Sequence, residues 1–217
     1  MIGQSFLPAA LLIGALVVML WFALGTRKNI ERGNRLLRWL QDGLPLLGRR
    51  TTMRWLGSSA VQLGVRQVRD PFREAEVVVV LEPRDVSLLW AWARTRNRRD
   101  FLILRAELVS PPAFELEAGD TRGWTGRDRP QRIDREGWES SDWGDEHVTV
   151  RHTPYAEEEL AGRFWERLGE ASGGVWRLSI RREPPHVEAH VLPPDPDAVG
   201  SKTLFAVFRE LCQNLVE

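Results

Sequence analysis

The longest hydrophobic segment lies at the N-terminal end of the chain. Residues 6–24 are almost entirely apolar, and no charged residue occurs between residues 2 and 26. An α-helix needs about 20 such residues to cross the hydrocarbon core of a bilayer. Pro8 falls in the first turn of this helix, where a missing backbone N–H costs little. The pattern predicts a transmembrane anchor over residues 1–26.

Two other interpretations apply to the same segment. A cleaved signal peptide begins with a positively charged region, which the first five residues lack, although Ala23 and Gly25 form a small-x-small pair suited to cleavage. A buried helix of a soluble core usually keeps a polar face, and this segment has none. The membrane anchor is therefore the favoured prediction, with cleavage as the alternative.

Basic residues follow the apolar segment closely. Arg27, Lys28, Arg32, Arg35 and Arg38 lie on its C-terminal side, and no basic side chain precedes it. Because positive charge concentrates on the cytoplasmic side of membrane segments, we expect the N-terminus outside and residues 27–217 in the cytoplasm. The predicted location is the cell membrane, in a single-pass arrangement.

Residues 27–57 form a basic segment between the anchor and the rest of the chain. Ile30, Leu36, Leu37 and Leu40 share one helical face, which is typical of a helix lying among lipid headgroups. The alternative is a solvated linker helix. The residues predicted to contact the membrane surface are Arg27, Lys28, Arg32, Arg35, Arg38, Trp39, Arg49, Arg50 and Arg54.

The pattern changes beyond residue 57. Val61, Leu63 and Val65 alternate with polar or small residues, as in a half-buried strand, and Glu76–Leu81 is a β-branched run. Further strands and two amphipathic helices predict that residues 58–217 form one α+β domain with a mostly antiparallel sheet. Leucine and phenylalanine at helical spacing predict a last helix over residues 201–216.

One order of elements occurs twice in this domain. Residues 74–118 and 145–193 both show a strand, a proline, a helix, a strand, a Pro-Pro pair and a further strand. Such self-similarity predicts a duplicated β-α-β-β unit.

The loop over residues 119–145 separates the two units and shows no apolar period. Trp124, Trp138 and Trp143 occur in it. Tryptophans on a polar loop predict anchors for a protein partner, and the alternative is that they fold back onto the sheet edge.

Composition limits the class of protein. The chain has 217 residues, of which 43% are hydrophobic, and equal numbers of acidic and basic residues. This excludes a disordered chain, and the single cysteine, Cys212, excludes an internal disulfide. The neutral sum hides a segregation, since residues 27–110 are basic and residues 111–217 are acidic.

Arginine supplies nearly all the basic charge. Arg94, Arg96, Arg98 and Arg99 form a dense cluster, which predicts a second partner-binding surface because guanidinium groups pair with phosphates and carboxylates. No nucleic-acid motif accompanies the cluster, so nucleic acid is not the expected partner.

Histidine offers the best case for catalysis. His147, His152, His186 and His190 all lie in the second unit, and His186 and His190 share a strand face because they are four residues apart. Three such ligands would suit a catalytic zinc ion, although we expect no cofactor. Glu115 and Glu117 are expected on a solvated strand face. The usual short nucleotide, hydrolase and metal motifs are absent from the sequence.

These observations leave three hypotheses. The first is a membrane-anchored, non-catalytic module that binds a protein partner or scaffolds a complex. The second is a membrane-tethered metal enzyme that uses the histidines, and the third is a sensor of anionic lipid. The sequence leaves the oligomeric state open.

Overall fold

The computed structural model describes residues 6–126 and 137–216. This part of the chain contains four α-helices and a nine-stranded antiparallel sheet, so the predicted α+β class is confirmed. The helices are α1 (Phe6–Gln41), α2 (Ser87–Thr95), α3 (Glu158–Glu170) and α4 (Ser201–Asn214). The strands are β1 (Gly48–Trp55), β2 (Ala60–Val68), β3 (Phe72–Val80), β4 (Phe101–Leu108), β5 (Leu116–Asp120), β6 (Glu139–Ser141), β7 (Val148–His152), β8 (Val175–Ile180) and β9 (Val187–Val191).

The strands follow the spatial order β1-β2-β3-β4-β9-β8-β5-β7-β6. Side chains alternate between the two faces along each strand. In β4, Leu102, Leu104 and Ala106 are buried on one face, whereas Arg105 and Glu107 lie on the other. The apolar face packs against α3, α4 and the C-terminal part of α1, which together form one hydrophobic core. We call the opposite face the polar face.

The first helix does not stop at the predicted end of the membrane anchor. It runs without a break for 36 residues, from Phe6 to Gln41. Its first part is exposed, with Leu16 at 66% and Leu20 at 58%, whereas Leu36 and Leu40 are fully buried in the domain core. The anchor segment and much of the predicted juxtamembrane segment are therefore one helix, and its last turns belong to the domain.

After α1, Leu44–Leu46 form a short 3₁₀ helix, and Gly48–Trp55 form β1, an edge strand of the sheet. Strand β1 pairs with β2, with Arg50 opposite Arg66 and Trp55 opposite Val61. Nearly all of its side chains are exposed, so its sequence lacks the apolar alternation that identifies a half-buried strand. This explains why the sequence pattern did not predict it.

The two predicted repeat units are connected differently. In the first unit, β3 and β4 flank α2 in sequence and pair directly. In the second, β7 and β8 flank α3, but β5 lies between them. The hairpin of β8 and β9 also lies between β4 and β5, the last two strands of the first unit. The duplication therefore stays a prediction.

Candidate functional site

The junction between α1 and the domain is closely packed. The indole N–H of Trp21 donates to the carbonyl oxygen of Arg84 at 3.0 Å. Gly25 lies against the backbone of Arg84 and Asp85, where any Cβ atom would clash with the Arg84 carbonyl. Asn29 is fully buried and donates to the carbonyl oxygen of Glu82 at 3.1 Å. The segment that follows β3 is therefore fastened to α1 next to its exposed apolar part.

Ion pairs reinforce the same junction. Arg84 donates to both carboxylate oxygens of Asp100, at 2.9 and 3.1 Å, and to the side-chain oxygen of Asn29. Arg32 donates to Asp100 at 3.2 Å. Bidentate guanidinium–carboxylate pairs fix geometry as well as charge. Arg32 thus holds α1 to the domain, which is a role that the sequence did not predict.

The residues predicted to contact the membrane surface separate into two groups. Arg27, Lys28 and Arg35 are exposed near the apolar part of α1. Gln41 lies about 22 Å further along the helix than Thr26, at 1.5 Å per residue. Strand β1 begins beyond that end, so Arg49 and Arg50 lie far from the exposed apolar part. The strand then runs back towards the junction, where Trp55 lies against Gly33, so Arg54 lies nearer to the apolar part. Arg38 is exposed one turn before the end of α1.

The prediction that Trp39 contacts the membrane is wrong. This residue is only 8% exposed and packs in the domain core. Its indole N–H donates to the carbonyl oxygen of Val199 at 2.7 Å, just before α4. The apolar residues of this part of α1 are buried against α4 and the sheet, and not against lipid.

The four histidines do not converge. His186 accepts a hydrogen bond from the Leu108 backbone N–H at 2.9 Å, while His190 faces Glu188 and His152 faces Ser141. His147 lies apart, beside Glu146. Within residues 6–126 and 137–216 no three histidine, cysteine or carboxylate side chains are arranged to hold a metal ion.

His152 belongs to a small polar cluster at the sheet edge. Its Nε2 atom lies 2.8 Å from the Ser141 hydroxyl, which also bonds to Glu158, and its Nδ1 atom lies 2.9 Å from the Thr153 carbonyl oxygen. A serine beside a histidine is the pair that nucleophilic hydrolases use. Here the ring is 2% exposed and Glu158 competes for the same hydroxyl proton. The contacts tie β6, β7 and α3 together.

The polar face carries a buried ionic network that the sequence did not predict. Arg177 donates to Glu117 at 2.9 and 3.0 Å, and Arg181 and Ser179 donate to the same carboxylate. Glu117 is 8% exposed, so the expectation of a solvated position is wrong. Charge alternation on the strands was the available signal, but only the strand order shows that β5, β8 and β9 are neighbours.

Glu188 links this network to His190. It accepts from Arg105 at 2.7 Å, from Arg177 at 3.3 Å and from His190 Nε2 at 3.0 Å. Burial opposes ionisation of Glu188, but the hydrogen bonds from His190 and Arg105 and their positive charge at low pH, where His190 is protonated, outweigh it and hold the pKa of Glu188 well below its usual range. Burial lowers the pKa of His190, and the nearby arginines add to that effect against the pull of Glu188.

These directions assign a neutral His190 that donates its Nε2 proton to Glu188, with the arginines keeping the carboxylate charged. Both oxygens of each of the two central carboxylates, Glu117 and Glu188, accept hydrogen bonds. Such a network stabilises a buried charged surface rather than leaving a group free for chemistry.

The predicted partner-binding residues lie in two places. Trp124 makes an edge contact with Trp92 of α2, and the guanidinium of Arg98 lies over its ring. Trp143 packs against Trp165 of α3 and onto the core, as the fold-back alternative expected. Trp138 is half-buried just before β6.

The arginine cluster begins in the last turn of α2 and continues beyond it. The guanidinium of Arg94 lies over the ring of Trp90, and that of Arg96 lies over Trp92 at 4.7 Å. Arg98 is half-buried, and burial lowers its pKa against the opposing effect of Glu82. Arg99 bonds to carbonyl oxygens of the same turn and lines the pocket beside α1. Arginine and tryptophan are thus interleaved around one short helix.

An open cleft of about 910 Å³ lies beside α3. Its walls include six carboxylates, two arginines and three indole rings, and we call it the acidic cleft. The charged and aromatic residues are Asp120, Asp142, Asp145, Glu158, Glu159, Glu166, Arg122, Arg163, Trp143, Trp165 and Trp176. Asp120 and Asp145 pair with Arg122, whereas Asp142, Glu159 and Glu166 form no ion pair with any described residue.

A second cavity of about 540 Å³ adjoins the acidic cleft, since Gly173 and Leu192 line both. Its other walls come from α1 and from the junction, and we call it the basic pocket. The basic side chains there are Lys28, Arg32, Arg35, Arg84 and Arg99, and the acidic ones are Glu31, Glu82 and Asp100. The cavity beside α1 is therefore lined mainly by basic side chains, and its neighbour beside α3 mainly by acidic ones.

Comparison of the chain with protein-family models and with curated proteins finds no match.

Proposed function

We propose that this protein is anchored to the membrane by α1 and that its α+β domain binds a protein partner without catalysis. The anchor has the required length and composition, since one described helix is long and apolar enough to cross a membrane. Only 6% of its most apolar window is buried, which argues against a soluble core helix. The basic side chains of Arg27, Lys28 and Arg35 favour a cytoplasmic domain.

The continuity of α1 supports retention of the segment. Trp21 and Gly25 both precede the position where cleavage would fall, between Gly25 and Thr26, and both contact the backbone around Arg84. Cleavage there would remove the Trp21 hydrogen bond and fray a helix whose later turns form part of the core. The contacts instead favour an anchor that stays joined to the domain.

The acidic cleft is the observation that carries partner binding. Its carboxylates Asp142, Glu159 and Glu166 form no ion pair with a described residue, although Asp142 accepts from the Gly144 backbone N–H, whereas arginines hold the central carboxylates of the polar face. Tryptophan rings beside carboxylates can bind both the stem and the charge of an arginine or lysine side chain. The proposed partner therefore presents a basic segment.

The histidines give no comparable support to a metal enzyme, because the structure distributes them among separate contacts. Three residues on which the lipid-sensor hypothesis relied lie elsewhere: Trp39 is in the domain core, and Arg49 and Arg50 are on β1. Neither hypothesis is favoured by a specific observation, so the interaction module is the function that the geometry supports best.

Quantitative affinity capture from native membranes tests the proposal. Full-length wild type is compared with Glu166→Lys in the acidic cleft and with Glu74→Lys on β3, a control that is also exposed and lies outside the cleft. We expect a captured protein that is lost with Glu166→Lys and retained with Glu74→Lys. If no captured protein depends on the cleft, partner binding at this site is contradicted.

A further inference from the structure

The short helix α2 is unusual for a helix on a water-soluble domain. Ala93 is its only buried residue. Leu88 is 84% exposed, Trp92 47% and Leu89 42%, and Val86, just before the helix, is 46% exposed. A helix of nine residues with so little burial gains little from packing on the domain.

These apolar side chains form a patch rather than a scatter. Outside α1, eight large hydrophobic side chains of the described chain are exposed, and four of them lie in or next to α2. The other four lie elsewhere: Met53 on β1, Leu56 just after it, Val109 just after β4, and Tyr155 before α3. Contiguous exposed apolar surface of this kind marks a contact with another hydrophobic phase or partner.

Contacts with α1 determine where α2 lies along the axis of α1. Its Trp90 ring lies 6.2 Å from the ring of Trp21, and Trp90 also donates to the Glu82 carboxylate at 2.6 Å. Trp21 lies within the exposed apolar part of α1, about 7.5 Å along the helix before Thr26. A helix that touches Trp21 therefore lies at the level where α1 would leave the hydrocarbon core.

We propose that α2 is a second membrane contact, a short helix that lies in the interface beside the point where α1 enters the bilayer. This inference rests on the proposed anchoring by α1. Leu88, Leu89 and Trp92 face the acyl chains, and the tryptophans occupy the zone that indole rings favour. Arg96, which directly follows the helix and lies over the ring of Trp92, reaches towards lipid phosphates, which guanidinium groups bind well.

The second contact has a mechanical consequence. A single helix crossing a bilayer leaves its domain free to rotate about the helix axis and to tilt. A lateral contact at α2, joined to α1 through Trp21, Gly25 and Arg84, fixes one side of the domain to the membrane. The acidic cleft would then have a constant orientation relative to the bilayer.

Depth-dependent quenching in the full-length chain tests this proposal. Single cysteines at Leu88, Leu16 and Met53 would carry an environment-sensitive fluorophore in phospholipid nanodiscs containing nitroxide lipids with shallow or deep labels. The three native side chains are all highly exposed, so the substitutions should not disturb the fold. Cys212 is fully buried and burial raises its pKa, so the native chain serves as the unlabelled control.

We expect strong shallow quenching of Leu88→Cys, strong deep quenching of Leu16→Cys, and several-fold weaker quenching of Met53→Cys by either lipid. If Leu16→Cys is quenched but Leu88→Cys matches Met53→Cys, the α2 contact is overturned while the anchor stands. If no site is quenched, the anchor fails and the α2 contact fails with it. If Leu88→Cys is shielded from aqueous iodide but not quenched by lipid, a protein covers α2 and the proposal is wrong.

Discussion

The two ends of α1 carry similar apolar side chains in opposite surroundings. Leu16 is 66% exposed, whereas Leu40 is fully buried against the domain core. Both residues are leucines, so the sequence alone does not distinguish their surroundings, whereas the tertiary structure does. One continuous helix therefore has two parts: its early turns are exposed, as the proposed membrane anchor requires, and its late turns complete a protein core.

The comparison predicts its largest difference for a truncated leucine. Leu40→Ala should lower the free energy of unfolding of the domain by about 2–5 kcal/mol, because it removes buried methyl groups and leaves a cavity. Leu16→Ala should leave the domain's unfolding free energy unchanged. Denaturant unfolding of the full-length chain in micelles, followed by circular dichroism, measures both. Equal effects of the two substitutions would contradict the division of α1.

A glycine pair tests the junction between the two parts. Gly25→Val places a side chain against the Arg84 carbonyl, whereas Gly14 has no atom within 4 Å of an added Cβ. We expect Gly25→Val to destabilise the domain by about 1–3 kcal/mol, as overpacking does, and Gly14→Val to have no effect on the domain. Thermal unfolding of both variants in the same micelles provides the measurement. A silent Gly25→Val would mean that the helix and the Arg84 segment are not in contact.

A smaller effect is expected for Trp21→Phe. The substitution keeps an aromatic ring beside Trp90 but removes the hydrogen bond to the Arg84 carbonyl, which is worth about 1 kcal/mol. Phe22→Leu, at a neighbouring exposed position, serves as the matched control. Amide hydrogen exchange should become faster around Arg84 and α2 in Trp21→Phe alone. Unchanged exchange would show that the bond does not hold this segment.

Acid should act on the domain and not on the anchor. The pKa of His190 is lower in the folded chain than its ordinary value, so the unfolded chain binds more protons below about pH 6.5. The lowered pKa of Glu188 acts in the same direction at lower pH. The free energy of unfolding should therefore fall as the pH falls from 7 towards 4.

No titratable side chain occurs in residues 6–26, so membrane attachment should not change over this range. His190→Gln should remove the part of the fall in unfolding free energy that begins near neutral pH. Thermal unfolding between pH 4 and pH 7 checks both expectations. A melting temperature of the wild type that is constant between pH 7 and pH 4 would contradict the assignment of a neutral, buried His190.

Elements with a clear apolar period could be predicted from the sequence. Errors arose where that period was absent, or where burial in protein and burial in lipid require the same residues. Strands such as β4 and the last helix follow from apolar spacing, whereas β1 has no buried face to reveal it. The buried turns of α1 were assigned to lipid because burial by protein and burial by lipid select the same residues. Trp39 is the clearest case.

The candidate sites depended on contacts across the sheet, which no local pattern contains. Glu117 and Arg177 become partners only because β5 and β8 are adjacent. The histidines looked like a cluster in sequence, but β7 and β9 are separated by two strands. The arginines after α2 were visible, yet their pairing with tryptophan rings near Trp21 needed the packing of α2 on α1.

The central claim is that α1 remains attached and holds the domain at the membrane. Intact-mass measurement of the full-length chain in alkaline-washed membranes tests it most directly. The account predicts the uncleaved chain, still containing residues 6–26, in the washed membrane pellet. A shortened chain that begins near residue 26 and is released into the supernatant would contradict it.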